Sequence, residues 1–184
     1  MAINWSNPST HGSPTYDAWG SPTNLYASDD SDATATEGDI QDLGGFSWFT
    51  APLSGGEFYK LDTVNARLEA QAIGLGSAVA VGVKLSWDGG TSWTSQYVLT
   101  WANVDGEQTK EYSAAVISIA RKSWGRYWTW SELSSIRARL TFTRKTGANI
   151  VHADNFQVGI EYHAVHHLGG PGHYTSDTRI ILAN

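Results

Sequence analysis

The chain contains no cysteine. Disulfides, thiolate metal sites and thiol nucleophiles are therefore excluded, and the redox compartment is left open. Charge is also sparse, at 16% of residues, and basic charge is the scarcer sign: Lys and Arg total 12 against 18 Asp and Glu, for a net charge of −6. Affinity for DNA or RNA grows with the number of phosphates neutralised, so this balance argues against a nucleic-acid partner. It argues equally against docking on an anionic membrane. The nearest approach to a basic cluster is Arg137, Arg139, Arg144 and Lys145. The first two alternate along an expected strand and read as an outer face. No run reaches the roughly 18 apolar residues that span a bilayer. Met1-Ala2-Ile3-Asn4-Trp5 lacks a basic n-region and an apolar h-region, so no Sec-type signal is expected.

What is abundant is aromatic residues and glycine: nine Trp, eight Tyr, five Phe and 19 Gly in 184 residues. That mixture, with few charges and no amphipathic helical stretch, suits a single β-sandwich with many turns. Alternation places the strands. Val64, Ala66, Leu68, Ala70 and Ala72 share one face, and so do Val79, Val81, Val83 and Leu85. Ile136, Ala138, Leu140 and Phe142 form a third such set, and Phe156, Val158, Ile160 and Tyr162 a fourth. Shorter strands are expected within 24–36, over 43–50, from Thr94 to Trp101 and from Thr109 to Ile119, and one helical turn at Ser131-Glu132-Leu133 with Ser131 as its cap. The sum is an all-β, antiparallel, jelly-roll-like sandwich of about eight strands. Residues 24–162 are expected to form it, with extended arms at 1–23 and 163–184. Pro8, Pro14 and Pro22 interrupt ladder pairing in the first arm, whose Trp5, Tyr16 and Trp19 are expected to lie on a surface, its own or a neighbour's. In the second, a breaker-rich stretch from His163 to Gly172 precedes Arg179-Ile180-Ile181-Leu182, a short apolar tail suited to adding a strand to another subunit.

The firmest local signal is the segment Val79–Trp101, where two alternating runs flank Asp88-Gly89-Gly90-Thr91. It predicts a hairpin whose glycines supply positive φ. Ser86-x-Asp88-x-Gly90-x-Ser92-Trp93 is close to the Asp-box pattern of sialidases and of unrelated β proteins. One copy in 184 residues makes no propeller, so Ser86, Asp88, Gly90 and Trp93 are expected to close a turn and to catalyse nothing.

Together with this hairpin, Asn24–Thr36, the run Trp124-Gly125-Arg126-Tyr127-Trp128-Thr129-Trp130-Ser131-Glu132-Leu133 and Val151–Val158 carry a resemblance. The pattern resembles jelly-roll domains common in tailed-phage virion proteins and in some bacterial surface proteins, over residues 24–162. The resemblance implies a virion component (head decoration, neck, tail or fibre) assembled in the host cytoplasm, with itself and capsid or tail proteins as partners. Head decoration is preferred because the chain has no coiled-coil or repeat shaft.

Three other groups of residues bear on chemistry. Asp29, Asp30 and Asp32, with Glu37 and Asp39 nearby, carry oxygens suited to Ca²⁺, but their spacing is not that of an EF-hand and a solvated turn is the stronger reading. His163, His166, His167 and His173 are spaced as Zn²⁺ or Ni²⁺ ligands could be, without cysteine to support them. Trp87, Trp101 and Trp130 are candidate platforms for stacking a sugar, which makes a carbohydrate- or cell-surface-binding module the alternative function. No carboxylate pair, nucleophile elbow or cofactor motif assembles, so no enzyme, no catalytic residue and no cofactor is expected.

Overall fold

The structure is a computed structural model and describes residues 3–12, 16–29, 31–48, 57–72, 78–102, 108–112, 123–146, 150–167 and 174–175. Among these, eleven strands run in chain order: β1 (Asn4–Ser6), β2 (Thr10–His11), β3 (Ala33–Thr36), β4 (Ile40–Gly44), β5 (Glu57–Ala72), β6 (Ala78–Ser86), β7 (Tyr97–Ala102), β8 (Gln108–Tyr112), β9 (Arg137–Thr146), β10 (Ile150–His167) and β11 (Tyr174–Thr175). They form two antiparallel sheets, an all-β sandwich.

The first sheet is built on the two longest strands, β5 and β10, with β8 outside β5. The other side of β10 is covered in succession by β3 opposite 150–153, β1 opposite 158–160 and β11 opposite 166–167. The second sheet runs β2-β4-β9-β6-β7. Between them lies one core. The first sheet contributes Val64, Ala66, Leu68, Ala70, Phe156, Val158 and Ile160, and the second Leu43, Val81, Val83, Leu85, Leu140, Phe142 and Trp101. The alternation that marks β5, β6, β9 and β10 in the sequence is thus the core-facing side of each strand.

Two register shifts interrupt this alternation, and each places an extra aspartate in its strand. In β10 the shift falls between Ala153 and Asn155, and in the β5–β10 pairing a second falls where Glu161 and Tyr162 face Thr63 and Leu61. The inward set of β10 consequently changes from Val151 and Ala153 to Phe156, Val158 and Ile160, all buried. The bulged residues Asp154 and Asp62 are themselves buried. Asp154 accepts the Asp29 N–H at 3.1 and 3.3 Å, and Asp62 meets His163 Nδ1 at 2.8 Å.

The ends differ from the sequence expectation. Strand β10 continues through His163 and Val165 to His167, opposite Lys60, Phe58 and the start of β5, so the boundary expected at 162 falls inside a strand. Nothing in the histidine-rich composition stops pairing, and Ala164 and Val165 are buried. At the other end, residues 1–23 were expected as an arm, and their described part is laced into both sheets. After β1 on the first sheet, Ser9 N–H and Gly12 N–H donate to Gly44 and Asp42 of the second. Asp42 N–H then donates to Tyr16, Ala18 N–H to Ile40, and Gly20 and Thr34 exchange a pair of bonds that returns the chain to the first sheet. Pro22 opens a 3-10 turn, Pro22–Leu25, where a short strand was expected. A proline at the first helical position loses no ladder bond.

Candidate functional site

The hairpin turn between β6 and β7 is the best-defined local structure. Gly89 and Gly90 have φ of 74° and 105°, values that disfavour any residue with a Cβ. Ser86 Oγ accepts the Gly90 N–H at 2.8 Å and donates to Asp88 Oδ1 at 2.9 Å, and Asp88 Oδ1 accepts the Ser92 N–H at 2.8 Å. That Ser92 bond, with further hydrogen bonds from the Ser92 and Ser86 side chains and the Thr91 backbone, lowers the Asp88 pKa against the opposing effect of desolvation. Trp93 Nε1–H closes the loop on the Gly90 carbonyl at 3.0 Å. Each of the Asp-box residues thus has a partner within its own turn.

Two arginines clamp this hairpin. Arg139 of β9 donates from Nε and Nη2 to the two oxygens of Asp42 at 2.7 and 2.9 Å, and the Asp42 side chain is 0% exposed. Its guanidinium lies 4.1 Å from the Trp93 ring centre and 4.5 Å from that of Tyr16. The hydrogen bonds to Asp42 raise the Arg139 pKa further, against desolvation. Arg126 lies 3.8 Å from the Trp87 ring centre and 4.7 Å from that of Trp128, and donates to Glu132 Oε1 at 2.6 Å. A third stack, Arg67 at 4.3 Å over Trp5, fastens β1 on the outer face of the first sheet. Trp5 lies close against Gly159, where a Cβ would come within 2.6 Å of its Cε3 atom.

Arg126 and Glu132 belong to one compact segment. Ser123 and Arg126 bridge across a tight turn in which Trp124 and Gly125 both have positive φ, 59° and 77°. The Trp124 conformation is costly for a residue with a side chain, and it is held by Nε1–H donation to Val64 and by Ser123 Oγ accepting the Val64 N–H. The 3-10 turn Trp130–Ser135 follows, capped by Thr129 through a capping box with Glu132, in place of the expected Ser131 cap. Burial opposes ionisation of Glu132, but the Thr129 N–H and Arg126 outweigh it and lower its pKa.

The remaining sequence candidates are dispersed. Asp32 meets His152 Nδ1 at 2.9 Å, while Asp29 Oδ1 accepts the Ser31 N–H; Asp30 lies outside the described residues. Among the described residues no three His, Asp or Glu gather into a metal-binding group. His163 faces Asp62, His166 and His167 lie on the strand pairing with β11, and His173 lies outside the described residues, as do Arg179, Ile180, Ile181 and Leu182. Of the proposed sugar platforms, Trp101 is corrected: it is 1% exposed, sharing the inward side of β7 with Leu99, and offers no ring face to a ligand. Trp87 is covered by Arg126. Trp130 packs with Tyr59 and Tyr162, at ring-centre distances of 5.0 and 5.2 Å, and those two tyrosines are 5.0 Å apart. Sequence reasoning did not find the two tyrosines as partners of Trp130, since they come from strands 103 positions apart and no local pattern links them. Among the described residues no helix is long and apolar enough to cross a membrane. The chain matches no protein-family model, no curated protein and no solved structure.

Proposed function

We propose that this chain is a non-enzymatic structural protein of a tailed-phage particle, a head-decoration subunit in preference to a neck, tail or fibre component. It joins copies of itself and the capsid or tail lattice. The observation that carries this reading is how the ionisable side chains are used. Asp42–Arg139, Asp62–His163 and Asp32–His152 each tie one segment of the sandwich to another. A shell protein needs that kind of internal fastening, because a lattice transmits force through its subunits. The resemblance of residues 24–162 to phage virion modules supports the same reading. In it, the N-terminal segment stiffens its own sandwich, and the apolar residues Ile180, Ile181 and Leu182 supply contact with a neighbour. Immunogold labelling of purified particles with antibody raised against the full chain tests it. Regular labelling over the head supports the decoration role; labelling confined to the tail moves the protein to a tail role; unlabelled particles end the virion reading.

A further inference from the structure

The nine tryptophans divide by what their indole N–H does. Trp19, Trp48, Trp93, Trp124 and Trp128 each donate to a backbone carbonyl, of Asp39, Val158, Gly90, Val64 and Ser123 respectively. Trp101 is enclosed in the core. Trp5, Trp87 and Trp130 make no such bond among the described residues, and each of the three is only partly buried. Guanidinium groups cover the rings of Trp5 and Trp87. Among the described residues, Trp130 alone of the three combines an N–H that makes no hydrogen bond with a ring that no cation covers, and it is only partly buried. Beside it stand Tyr59 and Tyr162, both also partly exposed, so three aromatic rings meet at one end of the first sheet.

From this arrangement we infer that Trp130, flanked by Tyr59 and Tyr162, is a binding platform for a neutral pyranose of a surface glycan. A pyranose presents a C–H face that packs on an aromatic ring and hydroxyls that take hydrogen bonds at its rim. Trp130 supplies the ring and an unpaired donor, and the next residue, Ser131, is exposed. Other occupants fit less well. An apolar peptide side chain would cover the indole N–H without giving it an acceptor, which costs free energy. A phosphate or carboxylate would need a cation, and Arg126, the arginine of this segment, gives Nη2 to Glu132 at 2.6 Å while its unbonded Nη1 is buried away from any ligand. Lys60 alternates with Tyr59 on β5 and so points to the opposite face of the sheet. Arg126 and Glu132 act here as positioning residues: they hold the segment that starts the Trp130 turn, and touch no ligand.

The platform stands independently of the lattice reading, and its test uses a different readout. The full chain is titrated with methyl glycosides and short oligosaccharides of glucose, galactose, mannose and N-acetylglucosamine, up to about 10 mM. Binding is followed by saturation-transfer NMR and tryptophan fluorescence. At least one of these sugars is expected to bind, with transfer to its C–H protons. Trp130→Ala should weaken that binding by about tenfold or more, and Trp5→Ala, whose ring stacks on Arg67 away from this segment, should leave it unchanged. Trp130→Phe, which retains an aromatic ring in the cluster, should fold as the native chain does and weaken binding by a smaller factor through loss of the N–H. Failure of every sugar to bind the native chain overturns the platform, as does equal affinity in native chain and Trp130→Phe together with unchanged binding in Trp130→Ala. Either failure leaves the oligomeric state, and hence the lattice reading, untouched.

Discussion

The two arginine stacks that hold the β6–β7 hairpin look alike and do different work. Arg139 joins residues far apart in sequence: Asp42 is 97 positions away, Tyr16 comes from the N-terminal segment, and Trp93 from the hairpin. Its partner carboxylate is fully buried. Arg126 joins near neighbours, with Glu132 six positions away, and both side chains keep about a fifth of their surface. One Arg126 nitrogen, Nη1, is buried without a hydrogen-bond partner among the described residues. The same chemistry therefore serves the global fold in one place and the shape of a single surface segment in the other. Sequence separation and burial, and not the residue types, set the difference.

Removing the two arginines in turn is the sharpest way to separate them. Arg139→Leu deprives the buried Asp42 carboxylate of its counter-charge and should cost about 3–5 kcal/mol, seen as a large fall in the denaturation midpoint. A cost near that of an exposed pair would mean that the stack is ornamental. Arg126→Leu should cost less, about 1–2 kcal/mol, because Glu132 keeps its bonds at Thr129 and some solvent. Equal losses in the two variants would erase the comparison. Smaller again is Thr129→Ala, which removes the cap of the Trp130–Ser135 turn at about 1 kcal/mol and should also alter the fluorescence of Trp130.

Acid should act on the local stack through Glu132. The folded-state pKa of Glu132 lies below its ordinary 4.5, so its contribution is present above that value and is lost as pH falls through the lower folded value. Asp17, lowered chiefly by its bond from His11, has the same sign. Stability measured by urea unfolding should therefore decline as pH drops below about 4.5. Glu132→Gln should flatten part of that decline, whereas a decline of unchanged steepness would remove Glu132 from the account.

Legibility in the sequence follows the same division between local and distant. Strands β5, β6, β9 and β10 announce themselves by alternation, and the turn at Ser86–Trp93 by glycine and side chains that bond within five residues. The Thr129 cap was equally readable, since Thr129-Trp130-Ser131-Glu132 has the spacing of a capping box. So was the burial of Trp101, which must share a face with Leu99. The N-terminal segment was not readable as part of both sheets. Strands of two or three residues carry no period, and prolines there suggest an arm. The aspartates at 62 and 154 break the inward pattern of their strands, and their partners His163 and Asp29 lie more than a hundred positions away. The Tyr59–Trp130–Tyr162 cluster is hidden for the same reason: the pairing of β5 with β10 brings the two tyrosines together, and the turn that carries Trp130 packs onto them.

The central claim, that this chain is a lattice-forming subunit, is tested most directly by mass-resolved oligomeric state. Light scattering on the full chain is compared with a variant ending at Thr175, which keeps every described strand and lacks Arg179, Ile180, Ile181 and Leu182. The account predicts an oligomer for the full chain and a smaller species for the shortened one. A monomer in both, at concentrations where virion subunits assemble, would contradict it.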